Sequence, residues 1–307
     1  MNPTNTKINT SAIVRKAYRL GLALPAFNIP YLPMLEPVIR AVADLDSFGL
    51  IETARLEWLK FEAGGLAEVA REFARWDKPN YVRLHLDHVP VIDEDNLRVD
   101  YLPIFKKAIQ LGYGSLMIDG SRLPLEANIE AVRPAVALAH VFGLPVEAEL
   151  GAVLGHESGP LPSYEELYAS GKGFTDPVEA RTFVEETGCD WLSVAVGNIH
   201  GAIAAGRKDL KKVEAHLNLE RLEQLKLAAG VPLVLHGGSG IQADNLRQAM
   251  KRGIAKVNIG TEIRQAYEVA LKGTGSIPQA QQAVYERTCW VIQDFLGVAG
   301  IREKVAG

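Results

Sequence analysis

"SLMIDGSRLPLEANIEAVRPAVALAHVFGLPVEAELG", residues 115–151, decides how the fold is read. Two short apolar runs, "SLMIDG" (115–120) and "PVEAELG" (145–151), flank one long stretch of helical period, "LEANIEAVRPAVALAHVFG" (125–143). The long stretch ends on Gly143, a common helix stop. Parallel strands need a crossover of this length between them. The segment is therefore a strand, a covering helix and a second, parallel strand.

Working outward, the same alternation repeats. Candidate strands are "ALPAFN" (23–28), "FGLIETA" (48–54), "YVRLHLDH" (81–88), "WLSVAVG" (191–197), "PLVLHGG" (232–238) and "IAKVNIG" (254–260). Between them lie amphipathic stretches such as "DYLPIFKKAIQLG", "DPVEARTFVEETG" and "LNLERLEQLKLAAG". Asp176–Pro177 is a good N-cap and first-turn pair. Near-continuous apolar strands alternating with helices predict a parallel sheet covered on both faces.

The expected fold is α/β: a (β/α)8 TIM barrel with additional N- and C-terminal helices, forming a single domain over 1–307. The additional helices read as "TSAIVRKAYRLG" and "PQAQQAVYERTCWVIQDFLG". An open doubly wound sheet is the alternative, because period alone does not show closure. No GxGxxG follows the first strand, which weakens a dinucleotide-binding version. The longest irregular piece, residues 152–176, reads as a mobile active-site loop.

Composition narrows the function. The chain carries 48% hydrophobic and 23% charged residues, net charge −4, and no dense Lys/Arg block. A nucleic-acid or anionic-membrane partner is not indicated. Two distant cysteines, Cys189 and Cys289, have no metal spacing and suit a reducing compartment. With a polar N-terminus and no apolar run of spanning length, a cytoplasmic protein is expected.

In a barrel the strand C-termini share one mouth, where polar groups read as catalytic. Reading strand ends in order gives Asn28, Thr53, Asp87 with His88, Asp119, Glu149, His200 just past the sixth strand, His236 and Asn258. A single strand-end histidine is usually structural. Three from separate strands at one end predict His88, His200 and His236 around one Zn²⁺ with an open position. Strand alternation puts His85 on the face of Asp87, as a structural or supporting residue. His140 and His216 read as solvated. Asp119 reads either as a cap shared with Ser121 or as a carboxylate supporting a metal. Glu147 and Glu149 share one face, so both point into the barrel unless the strand end frays.

Glycine-rich turns, "LHGGSGI" (235–241) and "VNIGTE" (257–262), close the last two strands. Barrel phosphate sites frequently form there from backbone N–H groups and a helix start. Gly237 and Gly238 let the backbone approach an anion, and Ser239, Asn258 and Thr261 can add donors.

These motifs together resemble the class II, metal-dependent fructose/tagatose-bisphosphate aldolase family. The pieces that carry the resemblance are "HLDH", "GYGSLMIDGSRLPLEANI", "VEAELG", "TDPVEARTFVEETGCDWLSVAVGNIHG", "VPLVLHGGSGI" and "GIAKVNIGTE". The resemblance implies His88, His200 and His236 as zinc ligands, with Glu149 and Asp119 as carboxylates of the metal site. It implies Asp87 as the acid/base for the C4-hydroxyl proton and Glu157 as the loop glutamate that exchanges the C3 proton. Asn28 would contact substrate, while Gly201, Gly237, Ser239, Asn258 and Thr261 would hold the ketose 1-phosphate. Arg264 would reach a neighbouring subunit's substrate, which implies a homodimer or homotetramer. The resemblance also admits a second divalent or a monovalent cation.

The sequence departs from the family pattern at several positions. Val89 stands where glycine is usual, Pro30 replaces an asparagine, and Leu154 and Ser158 alter the loop. Glu52, Arg55 and Glu57 crowd the end of the second strand, and Gly260 lies where fructose-specific members often carry aspartate. The expected activity is zinc-dependent C3–C4 cleavage and formation in a phosphorylated ketose, releasing dihydroxyacetone phosphate. An epimerase or acid-sugar aldolase on the same site is the alternative, followed by a non-catalytic phosphosugar-binding protein.

Overall fold

The computed structural model of the chain describes residues 9–76, 78–151, 164–198, 215–238 and 240–307. Eight strands form one closed, wholly parallel barrel: β1 Leu24–Asn28, β2 Gly49–Ala54, β3 Val82–Pro90, β4 Ser115–Asp119, β5 Val146–Leu150, β6 Trp191–Val194, β7 Leu233–Leu235 and β8 Ile254–Ile259. β8 pairs with β1, Ala26 opposite Asn258, which closes the ring and excludes the open sheet.

Helices follow the strands and cover the barrel's outer face. The helix Leu125–Val141 crosses from β4 to β5 and buries Ile129, Val132, Ala135, Val136 and Ala139. Asp176 caps the helix Pro177–Thr187 by accepting from the N–H groups of Val178 and Glu179. Burial of such apolar stripes supplies most of the driving force, roughly 25 cal/mol per Å² of apolar surface. Before β1, the helix Thr10–Leu20 is capped by Asn9 and packs against β8 and the C-terminal helix Arg302–Ala306. The helices Thr261–Thr274 and Ile277–Trp290 pack on one another after β8.

Two local features set up the site. β3 changes register against β4: Leu86 pairs with Leu116, but the next paired residue, Val89, meets Ile118. The irregularity falls on Asp87 and His88, and His88 takes a left-handed φ of 32°. Regular pleating would send these neighbours to opposite faces. The bulge instead turns His88 towards the mouth beside Asp87, at a local conformational cost.

The second feature is the root of the segment between β5 and the helix Pro177–Thr187. Thr175 donates its hydroxyl to Leu150 O at 2.6 Å and accepts from Ala195 N at 2.9 Å. This fastens the far end of the segment to the ends of β5 and β6. Residues 152–163 lie outside the described residues, and the expected irregular stretch contains a helix, Tyr164–Ser170.

Candidate active site at the barrel mouth

β3 and β7 bring two imidazoles together. His88 Nε2 and His236 Nδ1 lie 2.6 Å apart, with the rings edge to face. Each ring's other nitrogen is committed to a carboxylate. His88 Nδ1–H donates to Asp119 Oδ2 at 3.3 Å, and His236 Nε2–H donates to Glu147 Oε1 at 2.7 Å. A carboxylate behind each imidazole fixes its tautomer and orientation, the arrangement that supports metal-ligating histidines. Asn198 steadies β7's end by donating to His236 O at 3.0 Å.

Asp119 caps the turn at Ser121 and also holds His88. Its Oδ1 accepts from Ser121 N and Oγ, while Oδ2 holds His88. Burial pushes its carboxyl up, but His88 and Ser121 outweigh that and leave it below the ordinary range. Glu147 and Glu149 both point inward from β5. Glu149 is buried, and its Oε2 has no hydrogen-bond partner among the described residues. That oxygen lies 3.8 Å from His236 Nδ1 and 3.9 Å from His88 Nδ1. Burial first, then the charge of Asp119, raises the Glu149 carboxyl well above the usual range.

Asp87 completes the cluster. Ligand atoms of Asp87, His88 and His236 lie within 4.8 Å of one another, as do those of His88, Asp119 and Glu149. Asn28 donates to Asp87 Oδ2 at 2.9 Å and Asn258 to Oδ1 at 3.1 Å, so the carboxylate is held from both sides. Burial alone would raise this group, but His88, Lys256 and His236 together hold it far below the carboxylate range. Asp87 is thus an ionised, clamped carboxylate.

The donor set fits a divalent cation on its own chemistry. Two carboxylate-oriented imidazole nitrogens converge beside a buried carboxylate oxygen that lacks a partner among the described residues. A cation would relieve the stacked acids and compensate Glu149. His88, His236 and Glu149 would hold it, and imidazole with carboxylate suits zinc.

Other expected site residues divide three ways. Asn28 and Asn258 reach the site, but their amides serve Asp87. Gly237 has φ 67°, and Thr261 opens the helix Thr261–Thr274, leaving a glycine turn and a helix N-terminus at the β7–β8 side. Glu157, His200, Gly201 and Ser239 lie outside the described residues.

Thr53 requires a correction. Its buried hydroxyl accepts from Tyr113 OH at 3.3 Å, and the Tyr113 hydroxyl also reaches Leu66 O, at the start of the helix Leu66–Trp76. Alternation explains the outward direction, because Glu52 beside it takes the inward face. Arg264 in turn pairs with Glu268 at 2.8 and 2.9 Å, and Glu268 also accepts from Tyr31 OH. His140 is engaged as well, through Nε2 and Asp190 Oδ2 at 2.8 Å.

Two residues near the site were missed as functional candidates. Lys256 sits fully buried inside the barrel, and a lysine amid the apolar run "IAKVNI" was the available signal. Glu57, on the helix Arg55–Lys60, is buried and accepts from Ala54 N at 2.8 Å.

The chain belongs to the class II fructose-bisphosphate aldolase family, whose profile matches residues 8–298. It is an aldolase. Over 268 residues it is 35% identical to the D-tagatose-1,6-bisphosphate aldolase subunit GatY of Klebsiella oxytoca, covering 86% of this chain and 85% of that one. The crystal structure of the YdjI aldolase from Escherichia coli K12 superposes with a TM-score of 0.73 at 30% identity, covering 94% of this chain and 97% of that one. The fructose-bisphosphate aldolase Fba of Campylobacter jejuni shares the fold, with a TM-score of 0.70 at 19% identity over 94% of each chain.

Proposed function

We propose that this chain is a Zn²⁺-dependent aldehyde-lyase that cleaves and forms the C3–C4 bond of a phosphorylated ketose, such as a ketose 1,6-bisphosphate, and releases dihydroxyacetone phosphate. The observation that carries this reading is the carboxylate-backed imidazole pair beside the clamped Asp87. His88, His236 and Glu149, joined by His200, would hold the ion. When bound, the cation supplies Lewis-acid polarisation of the ketose carbonyl.

The chain's own residues do the rest. In cleavage, Asp87 takes the C4-hydroxyl proton; the C4–O pair becomes the aldehyde carbonyl as the C3–C4 pair passes towards C2. The two asparagines keep the Asp87 oxygens in place, so little reorganisation accompanies proton transfer. Glu157 delivers the proton to C3 once residues 152–176 cover the mouth and exclude water. The glycine turn at Gly237 and the helix start at Thr261 receive the 1-phosphate through backbone N–H groups, and Gly201, Ser239 and Asn258 would add donors to it. Arg264 on an exchangeable pairing with Glu268 would serve a neighbouring subunit in a homodimer or homotetramer of single-domain barrels. Two free cysteines are consistent with a cytoplasmic setting.

A screen of ketose 1,6-bisphosphates and acidic ketose 1-phosphates for zinc-dependent release of dihydroxyacetone phosphate tests the reading. The expected result is triose release from at least one ketose. An isomeric sugar formed with no triose would replace it with epimerisation.

A further inference from the structure

Beneath the mouth, the barrel interior holds a cation that the proposed reaction does not use. Lys256 projects inward from the middle of β8 and is fully buried. Its Nζ lies 2.7 Å from Glu52 Oε1, 2.8 Å from Glu147 Oε2 and 4.0 Å from Asp87 Oδ1. The approach to Glu52 is a close ion pair without hydrogen-bond alignment, whereas the contact to Glu147 is an aligned hydrogen bond. Barrel interiors are ordinarily packed with branched apolar side chains. Burying an ammonium group costs several kcal/mol before pairing repays it, so packing alone favours an apolar residue here.

Glu147 links this charge to the site. One of its oxygens takes the Lys256 ammonium, and the other takes His236 Nε2–H at 2.7 Å. Gripped at both oxygens, the carboxylate is fixed in orientation. His85 adds no rival cation: Nδ1 is engaged with Ser115 Oγ at 2.8 Å, and burial together with Lys256 pushes the ring down to about 3. Without the lysine, Glu147 loses the partner that fixes its second oxygen, and the carboxylate that orients the His236 ring is free to turn.

We propose that Lys256 is a positioning residue of the metal centre, acting through Glu147 to hold His236 with Nδ1 presented towards His88, with Glu52 as the counter-charge that seats the ammonium. This rests on the metal reading above. The chain supplies its own counter-ion in Glu52, one of the acids that crowd the end of β2.

The test measures Zn²⁺ affinity by competition with a chromogenic chelator, and the visible spectrum of the Co²⁺-loaded protein, alongside urea unfolding of the metal-free protein. The variants are Lys256→Met, the double variant Lys256→Met/Glu52→Gln, and Glu147→Gln. Lys256→Met should weaken Zn²⁺ binding by about 10–100-fold, the range seen when an outer partner of a ligand is lost. In the double variant, stability should return towards native while Zn²⁺ affinity stays low and the Co²⁺ spectrum stays altered. A folded double variant with native affinity and spectrum would overturn the inference and leave the lysine a structural ion pair. Should both lysine variants fail to fold, Glu147→Gln decides, and native affinity there overturns it. A native protein that binds no Zn²⁺ overturns the metal reading and this inference together, whereas tight native binding with unchanged variants overturns this inference alone.

Discussion

His88 Nε2 and His236 Nδ1 stand 2.6 Å apart, each ring anchored at its opposite nitrogen by a carboxylate. Two lone pairs would repel at that distance, so the contact holds a proton. Burial works against a charged His88, but Asp87, Asp119 and Glu149 outweigh it and raise the ring well above its ordinary range. His236 is lowered, by burial and by His88. The proton sits where a divalent cation would be ligated.

Metal binding must therefore displace protons, and affinity falls as pH falls. Calorimetric titration with Zn²⁺ in buffers of different ionisation enthalpy should show protons released near neutral pH, with weaker binding at pH 5.5 than at pH 7.5. Binding independent of both buffer and pH would contradict this assignment.

In the proposed mechanism Asp87 carries the proton transfer, and the two asparagines clamp it for that step. Asp87→Asn should lower kcat by about 10²–10⁴-fold, the span of general acid–base contributions, while bound zinc stays near the native content. Loss of zinc in step with activity would make Asp87 a ligand instead.

The glycine at 260 protects that clamp. A Cβ there would lie 3.3 Å from Asn28 Oδ1 and 3.4 Å from Asn28 Cβ. Gly260→Ala should shift the Asn28 side chain by a few tenths of an ångström, lengthen its bond to Asp87 and lower kcat, with an unfolding midpoint close to native. Unchanged kcat would show that Asn28 tolerates displacement.

Glu57 gives a pH signature of stability. Burial first, then the charge of Asp87, pushes it up to about 8 against the pull of Ala54 N–H, His88 and Asn28, from an ordinary value of 4.5. The folded chain thus holds this proton more tightly than the unfolded chain. Its stabilising contribution is full below about 4.5 and is lost as pH rises through about 8. In metal-free protein, Glu57→Gln should gain stability relative to native between pH 5 and pH 9, by a few kcal/mol as an order of magnitude. Urea denaturation across that range checks it, and parallel curves would contradict it.

Thr53 is a control. Thr53→Val removes a hydroxyl contact to Tyr113 outside the mouth, so it should cost about 1 kcal/mol of stability and leave KM near native. A large rise in KM would return Thr53 to the substrate site.

Much of this was legible in the chain, and the reasons are local. The repeating apolar runs and helical stretches specify the barrel because each parallel strand is buried on both faces. Strand-end residues Asp87, His88, Asp119, Glu149 and His236 do gather at one mouth. Less legible were features that depend on long-range geometry. Alternation alone would send His88 away from Asp87, and only the bulge turns it inward. Thr53 was assigned by position at a strand end, but its neighbour Glu52 owns the inner face. Lys256 was passed over because a lysine inside an apolar strand finds its reason only in Glu52 and Glu147, on strands remote in sequence. Strands β6 and β7, Trp191–Val194 and Leu233–Leu235, are also shorter than their apolar runs.

The most direct measurement is the zinc content and triose-releasing activity of the purified native chain before chelation, after exhaustive chelation, and after Zn²⁺ is restored. The account predicts about one tightly held ion per chain as the minimum the pair requires, activity lost on stripping and recovered on reloading. Full activity in protein shown to be stripped of metal would contradict it.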